Sequence, residues 1–114
     1  MSEFTFLFRG RLTSASLEER QKHMEKWNVW MEQLRANGHV NEHPGRPLEG
    51  AGMVVSGKNK LVTDGPFAEA KDIVGGYMSI EAEDLAQAVE LAKNCPILEV
   101  EGSVEIRPVE LLRP

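Results

Sequence analysis

The fold is decided near the N-terminus, in the stretch EFTFLFR at residues 3–9. Residues two apart share one face of a β-strand, so Phe4, Phe6 and Phe8 lie on the same side. Three phenylalanines on one face predict a strand whose aromatic side is buried against helices. Leu7 lies on the opposite side, which makes that second face partly apolar as well.

A long helix is predicted to follow this strand, from about Leu17 to Asn37. Ser16 and Glu19 have the spacing of a capping box, and Gly38 stands where a left-handed residue ends a helix. Apolar residues then recur at helical spacing: Leu17, Met24, Trp27, Met31 and Leu34. Two more apolar residues lie off this stripe, Val29 and Trp30. The helix therefore has more than one apolar surface.

The remaining elements are shorter. Glycines and prolines make residues 39–50 a predicted loop, and residues 57–60 a hairpin turn between two short strands at 53–55 and 61–62. A strand at 77–80, a helix capped by Asp84 and ended by Pro96, and a strand at 104–107 complete the chain. This order is β-α-β-β-α-β with one extra short strand, which predicts an α+β, ferredoxin-like fold. We expect residues 1–114 to form a single domain.

Such a sheet carries both helices on one face and leaves the other face bare. Leu7 projects from the bare face, and we expect some of Met53, Val55 and Tyr77 to join it. A bare apolar sheet face usually marks an interface. The pattern therefore predicts a homodimer formed through the sheet faces.

The charge and hydrophobicity of the sequence argue against some classes of binding partner. The 114 residues carry a net charge of −5, and their Lys and Arg residues are scattered, which argues against nucleic acid as a partner. The sequence has neither a signal peptide nor a long apolar run, so we expect a cytoplasmic protein that does not bind a membrane. Cys95 is the only cysteine, and its setting before Pro96 favours a small buried side chain over a reactive thiol.

The segment richest in chemical information is LVTDGPFAEAK at residues 61–71, which leads to Gly75-Gly76-Tyr77. Asp64 ends a strand, Gly65 permits a sharp turn, and Pro66 fixes the next dihedral angle. This arrangement presents a carboxylate at the rim of the sheet for acid/base chemistry or ligand binding. The alternative is an Asx-turn, in which the carboxylate only holds neighbouring backbone amides.

Residues 62–71 and 75–77 resemble the DGPF branch of the YCII-related proteins. The segments LRANG at 34–38, NCP at 94–96 and GSVEIRP at 102–108 extend the resemblance over nearly the whole chain. It implies a ferredoxin-like dimer of the dimeric α/β-barrel type, frequent encoding beside extracytoplasmic-function sigma factors, and no settled activity.

The resemblance also implies a site. In some YCII-type relatives, a His on the first helix and an Asp near the strand end are proposed as an acid/base pair, which lends this role to Asp64. The corresponding helix position here is Trp27, and His23 lies one turn earlier on the same broad face. We therefore take Asp64 and His23 as the candidate catalytic residues; for His23 the alternative is a solvated helix residue. The candidate ligand-binding residues are Arg9, Trp27, Pro66 and Phe67.

Metal binding has one candidate segment, the loop with His39 and His43 beside Glu42 and Glu49. Histidines also occur by chance on polar loops, so we expect no metal and no cofactor.

Two functions fit the sequence. One is a cofactor-free lyase or isomerase acting on a small organic molecule. The other is a non-catalytic ligand-binding or regulatory module associated with a sigma factor.

Overall fold

The fold is α+β, and the computed structural model describes residues 1–10, 15–65 and 72–111. In chain order the elements are β1 (Ser2–Arg9), α1 (Leu17–Ala36), β2 (Gly45–Pro47), β3 (Gly52–Ser56), β4 (Leu61–Gly65), β5 (Val74–Ala82), α2 (Leu85–Ala92), a 3-10 helix (Pro96–Val100) and β6 (Ser103–Pro108).

The main sheet has the strand order β2-β5-β1-β6, with antiparallel neighbours throughout. This is the ferredoxin-like order, in which the first strand lies between the third and the fourth. In the register of the central strands, Phe6 stands opposite Met78 on one side and Ile106 on the other. The predicted fold class and its antiparallel sheet are confirmed.

The second strand of this sheet differs from the predicted one. It is β2, which lies inside the stretch predicted as a loop, and Gly45 stands opposite Met78. The predicted hairpin does form, as β3 and β4, but as a two-stranded sheet of its own. A strand of three residues containing both Gly and Pro has no strand pattern in the sequence, so only its pairing with β5 defines it.

The core lies between the main sheet and both helices. Phe4, Phe6 and Phe8 are buried there, and Ala88 and Ala92 of α2 belong to the same cluster. This confirms that the three phenylalanines face the helices and that both helices cover one face of the sheet.

Helix α1 contributes a different set of residues to the core than the predicted stripe. Its cap is as predicted, since the Ser16 side chain accepts a hydrogen bond from the Glu19 amide at 3.1 Å. Trp30 is a core residue with 3% exposure, however, whereas Leu17 and Met24 are exposed. The predicted stripe was therefore wrong in its first turns, because the N-terminal turns of the helix lie mostly in solvent.

The bare face of the sheet is mainly polar, with Leu7 opposite Tyr77 at its centre. Arg9 and Arg107 both bind Glu105, at 3.0 and 3.2 Å, and hydrogen bonding to Arg9 is the main cause that lowers the pKa of this carboxyl. The expectation that Met53 and Val55 extend this face was wrong, because both lie on the separate hairpin. The bare face is consequently less apolar than the alternation predicted.

Candidate functional site

A cavity of about 330 Å³ opens between α1 and the β2–β5 edge of the sheet. Its lining is mostly apolar and includes Phe8, Trp27 and Met31. Gly75 and Gly76 form part of the sheet side. Gly76 stands opposite Phe8, and because it carries no side chain on the helix side of the sheet, it leaves space beneath the helix.

The cavity also holds a short hydrogen-bonded pair on α1. The Trp27 indole Nε1 donates to His23 Nε2 at 3.0 Å, one helical turn away. Trp27 is itself fixed by an edge-to-face contact with Phe8, with ring centroids 5.1 Å apart. The bond uses the lone pair on Nε2, so the imidazole carries its proton on Nδ1. His23 therefore offers an N–H donor whose orientation is set by the core.

Asp64, the other candidate catalytic residue, lies elsewhere. It is exposed on β4, opposite Met53 in the hairpin, and does not line the cavity. Among the described residues no hydrogen bond joins Asp64 to His23 or to Arg9. A single chain thus does not bring the two residues of the candidate pair together. The Asx-turn alternative involves residues outside those described.

The other candidate ligand-binding residues divide into three groups. Trp27 lines the cavity. Arg9 does not; its guanidinium binds the Glu105 carboxylate and donates to the Asp72 carbonyl at 2.7 Å, which fixes the start of β5 to β1. Pro66 and Phe67 lie outside the described residues.

Sequence reasoning missed two residues at the opening of the cavity, Arg46 and Tyr77. Both are exposed and both line it. They stand opposite each other on β2 and β5, so their side chains share the bare face of the sheet, on which Tyr77 also stands opposite Leu7. The signal that would have found Tyr77 is the preceding glycine pair. Arg46 had no such signal, because its strand was predicted as a loop.

His39, one of the two loop histidines, has a structural role. His39 is largely buried, and its ring Nδ1 lies 2.8 Å from the Glu81 carbonyl oxygen. Its own backbone carbonyl accepts from the Glu81 amide at 2.8 Å, so His39 fastens the end of α1 to β5. Within residues 1–10, 15–65 and 72–111, no group of three or more His, Cys, Asp or Glu is arranged to hold a metal ion.

Cys95 is buried, as the sequence predicted. Burial raises the pKa of its thiol to about 12, and a backbone hydrogen bond at Ile97 opposes this rise. The thiolate is the reactive form of cysteine. The side chain is therefore an apolar core group at neutral pH.

The raised thiol pKa makes a prediction about stability at high pH. Above pH 9.0 the thiol ionises in the unfolded chain, while in the folded chain it stays protonated up to about pH 12. The unfolded state then binds fewer protons, so the free energy of unfolding should fall with rising pH in this window, by about 1.4 kcal/mol per pH unit. Urea unfolding between these pH values should show this slope for the wild type and a shallower one for Cys95→Ala. An equal decrease in the free energy of unfolding with pH in both proteins would contradict the prediction.

The described helices include none that is both long enough and apolar enough to cross a bilayer.

The chain is therefore a small α+β protein with ferredoxin-like strand order and an apolar cavity between its first helix and the sheet. The chain belongs to the YCII-related domain family, which matches residues 5–113.

Its similarity to individual proteins is illustrated by one curated relative and one solved structure. An uncharacterized protein of Rhizobium meliloti (strain 1021) is 36% identical over 55 residues, which are 47% of this chain and 44% of the relative. The match thus spans less than half the length of that relative. A solved structure of 5-chloro-2-hydroxyhydroquinone dehydrochlorinase from Burkholderia phenoliruptrix AC1100, in complex with 2,5-dihydroxybenzoquinone, has a TM-score of 0.49 at 16% identity. That comparison covers 95% of this chain and 93% of the other.

Proposed function

We propose that this protein binds a small, mostly apolar organic molecule in the cavity between α1 and the sheet, and acts on it as a cofactor-free lyase or isomerase. The observation that carries the proposal is the His23–Trp27 hydrogen bond at the wall of an apolar cavity. A cavity of about 330 Å³ lies at the lower end of the range for small-molecule sites, so it suits a compound with one aromatic ring.

The polar group of the cavity wall suggests what part of the ligand it binds. His23 offers its Nδ1–H there. This donor favours an oxygen atom on the ligand that carries or develops negative charge. Since apolar surroundings strengthen such interactions, an enolate or phenolate oxygen would be stabilised here. His23 would then act as the acid in a proton transfer.

A complete lyase or isomerase reaction also needs a base that removes a proton from carbon. Among the described residues that line the cavity, none is Asp or Glu. This observation favours the second candidate function, a ligand-binding or regulatory module without catalysis, associated with an extracytoplasmic-function sigma factor. The two candidates share the cavity and differ in what happens to the bound molecule.

The proposed form of the protein is a cytoplasmic homodimer. The bare sheet face supports this assembly at its centre, where Leu7 and Tyr77 stand opposite each other. Around them Arg9 and Arg107 both pair with Glu105, which offsets part of their charge when a second sheet approaches.

Ligand binding is tested by a thermal-shift screen of single-ring phenols, aromatic carboxylates and cyclic ketones. A compound at a hundredfold excess over its Kd should stabilise the wild type by roughly 2.7 kcal/mol. The effect should be lost in Trp27→Ala and kept in Val29→Ala, which removes an exposed side chain of the same helix outside this cavity. Hits that stabilise Trp27→Ala as well as the wild type would place binding elsewhere.

The same compounds separate the two candidate functions. Each hit is incubated with the protein in deuterated water and followed by NMR. If the compound is converted, or takes up deuterium at carbon, and this reaction disappears in His23→Gln, the protein is an enzyme. If the compound binds but stays unchanged and unlabelled, the result supports the non-catalytic ligand-binding module.

A further inference from the structure

The β3–β4 hairpin, which we call the arm, exposes an unusual amount of apolar surface. Met53, Val55 and Leu61 are 64%, 65% and 61% exposed, and Val62 is 54% exposed. A two-stranded hairpin with no further cover is at best marginally stable in water. The arm as it stands in one chain therefore lacks part of its packing.

The dimensions of the chain are consistent with an element that extends away from the rest. The Cα radius of gyration is 15.8 Å, whereas a compact chain of this length has about 13 Å. An apolar element that projects from a small domain marks a contact with another molecule.

One face of the arm combines the apolar residues with Asp64. Residues directly opposite each other in an antiparallel pair lie on the same face, and the pairs here are Met53 with Asp64 and Val55 with Val62. These four residues form what we call the arm face. Any surface that covers its three apolar side chains receives the Asp64 carboxylate with them.

The same chain offers a surface of the matching kind, the cavity that lacks an acidic residue. It is apolar and open, its rim includes the exposed Met24, and it is lined by His23, whose Nδ1–H suits a carboxylate. A projection and a recess on one molecule can satisfy each other reciprocally in a two-fold dimer.

We infer that the arm of a second copy packs over the opening of this cavity and brings its Asp64 to His23 of the first copy. The complete site then belongs to the dimer: His23 and Trp27 come from one subunit and the carboxylate from the other. This inference rests on the proposed function. It supplies the base that a single chain lacks, with the carboxylate taking the proton from carbon and His23 donating one to oxygen.

The buried area is sufficient for this assembly. The apolar side chains of the arm face expose on the order of 300 Å². Two arms and the two surfaces they cover would bury roughly 1,200 Å², the lower limit of a standard protein interface. Contacts around Leu7 and Tyr77 would add to it.

Cross-linking between chains tests where the carboxylate lies. Chains with Met24→Cys at the cavity rim are co-expressed with tagged chains carrying Asp64→Cys, and treated with a short bismaleimide. The native Cys95 is buried and its thiol protonated, so it reacts slowly. The control is Thr63→Cys, the neighbouring residue on the other face of the arm. We expect the Asp64→Cys heterodimer to cross-link at least about tenfold faster than the control, after correction for the labelling rate of each cysteine.

Sedimentation tests the arm face independently. Val55→Glu should raise the dimer Kd at least about tenfold, whereas Val54→Glu, on the other face, should leave it within about threefold. Equal cross-linking from both positions, no cross-link to Met24→Cys, or a wild-type monomer of 12.7 kDa at micromolar concentration would overturn the inference. Neither measurement uses a ligand, so a cavity that binds no compound would defeat the proposed function and leave this result intact.

Discussion

Replacing Trp30 with alanine should lower the free energy of unfolding by about 3–5 kcal/mol. The indole is 3% exposed and stacks on Phe6, with ring centroids 6.4 Å apart. It also meets Phe8 edge to face at 6.1 Å. Its Nε1 donates to the Leu91 carbonyl at 3.2 Å, so the same side chain joins α1 to α2. Removing it leaves a cavity where both helices and the sheet meet.

Urea unfolding followed by circular dichroism measures this loss. Trp30→Phe keeps an aromatic ring and loses the hydrogen bond to Leu91, so it should cost less than alanine. Val29→Ala removes an exposed side chain one position away and should change the stability by less than about 0.5 kcal/mol. A Trp30→Ala variant as stable as Val29→Ala would mean that Trp30 is not a core residue.

The alternation of apolar residues along strands and the capping residues of helices were sufficient to predict most of the fold. The buried face of β1 follows from Phe4, Phe6 and Phe8 alone, and the start of α1 follows from Ser16 and Glu19. These signals are local, because each depends on residues within one strand or one helical turn. They specify the elements and their buried faces.

Pairing between distant segments could not be predicted in the same way. β2 is a strand only because β5 lies beside it, and the alternation of the hairpin strands fits a separate sheet as well as the main one. The burial of Trp30 could not be predicted for the same reason. It depends on where α1 crosses the sheet, and no residue spacing within the helix determines that position.

In the candidate site, too, the local contact could be predicted from the sequence and the contact between distant segments could not. His23 and Trp27 lie four residues apart on one helix, so their contact follows from helical geometry. Asp64 belongs to the hairpin, and its distance from His23 depends on which sheet the hairpin joins. A family resemblance assigned the two residues a joint role, but in one chain the hairpin places Asp64 outside the cavity. The dimer inferred above would unite them.

Replacing Gly45 with alanine should cost about 3 kcal/mol of stability and weaken ligand binding in the cavity. A Cβ built at this position overlaps the Tyr77 carbonyl oxygen and lies 2.8 Å from the Met78 Cα, both of which are backbone atoms of β5. Neither can move without disturbing the centre of the sheet. The short β2 strand must therefore separate from β5, and it carries Arg46 and Pro47 away from the cavity wall with it.

The control is Gly52→Ala in the arm, where the nearest atom to an added Cβ is the Gly65 carbonyl oxygen at 4.0 Å. That variant should stay within about 0.5 kcal/mol of the wild type, because its environment is open. Amide hydrogen exchange should show faster exchange at Leu48, whose amide bonds the Gly75 carbonyl at 2.8 Å, in Gly45→Ala and not in Gly52→Ala. Unchanged exchange at Leu48, with wild-type stability, would show that β2 tolerates a side chain at this contact. The cavity wall would then not depend on a glycine there.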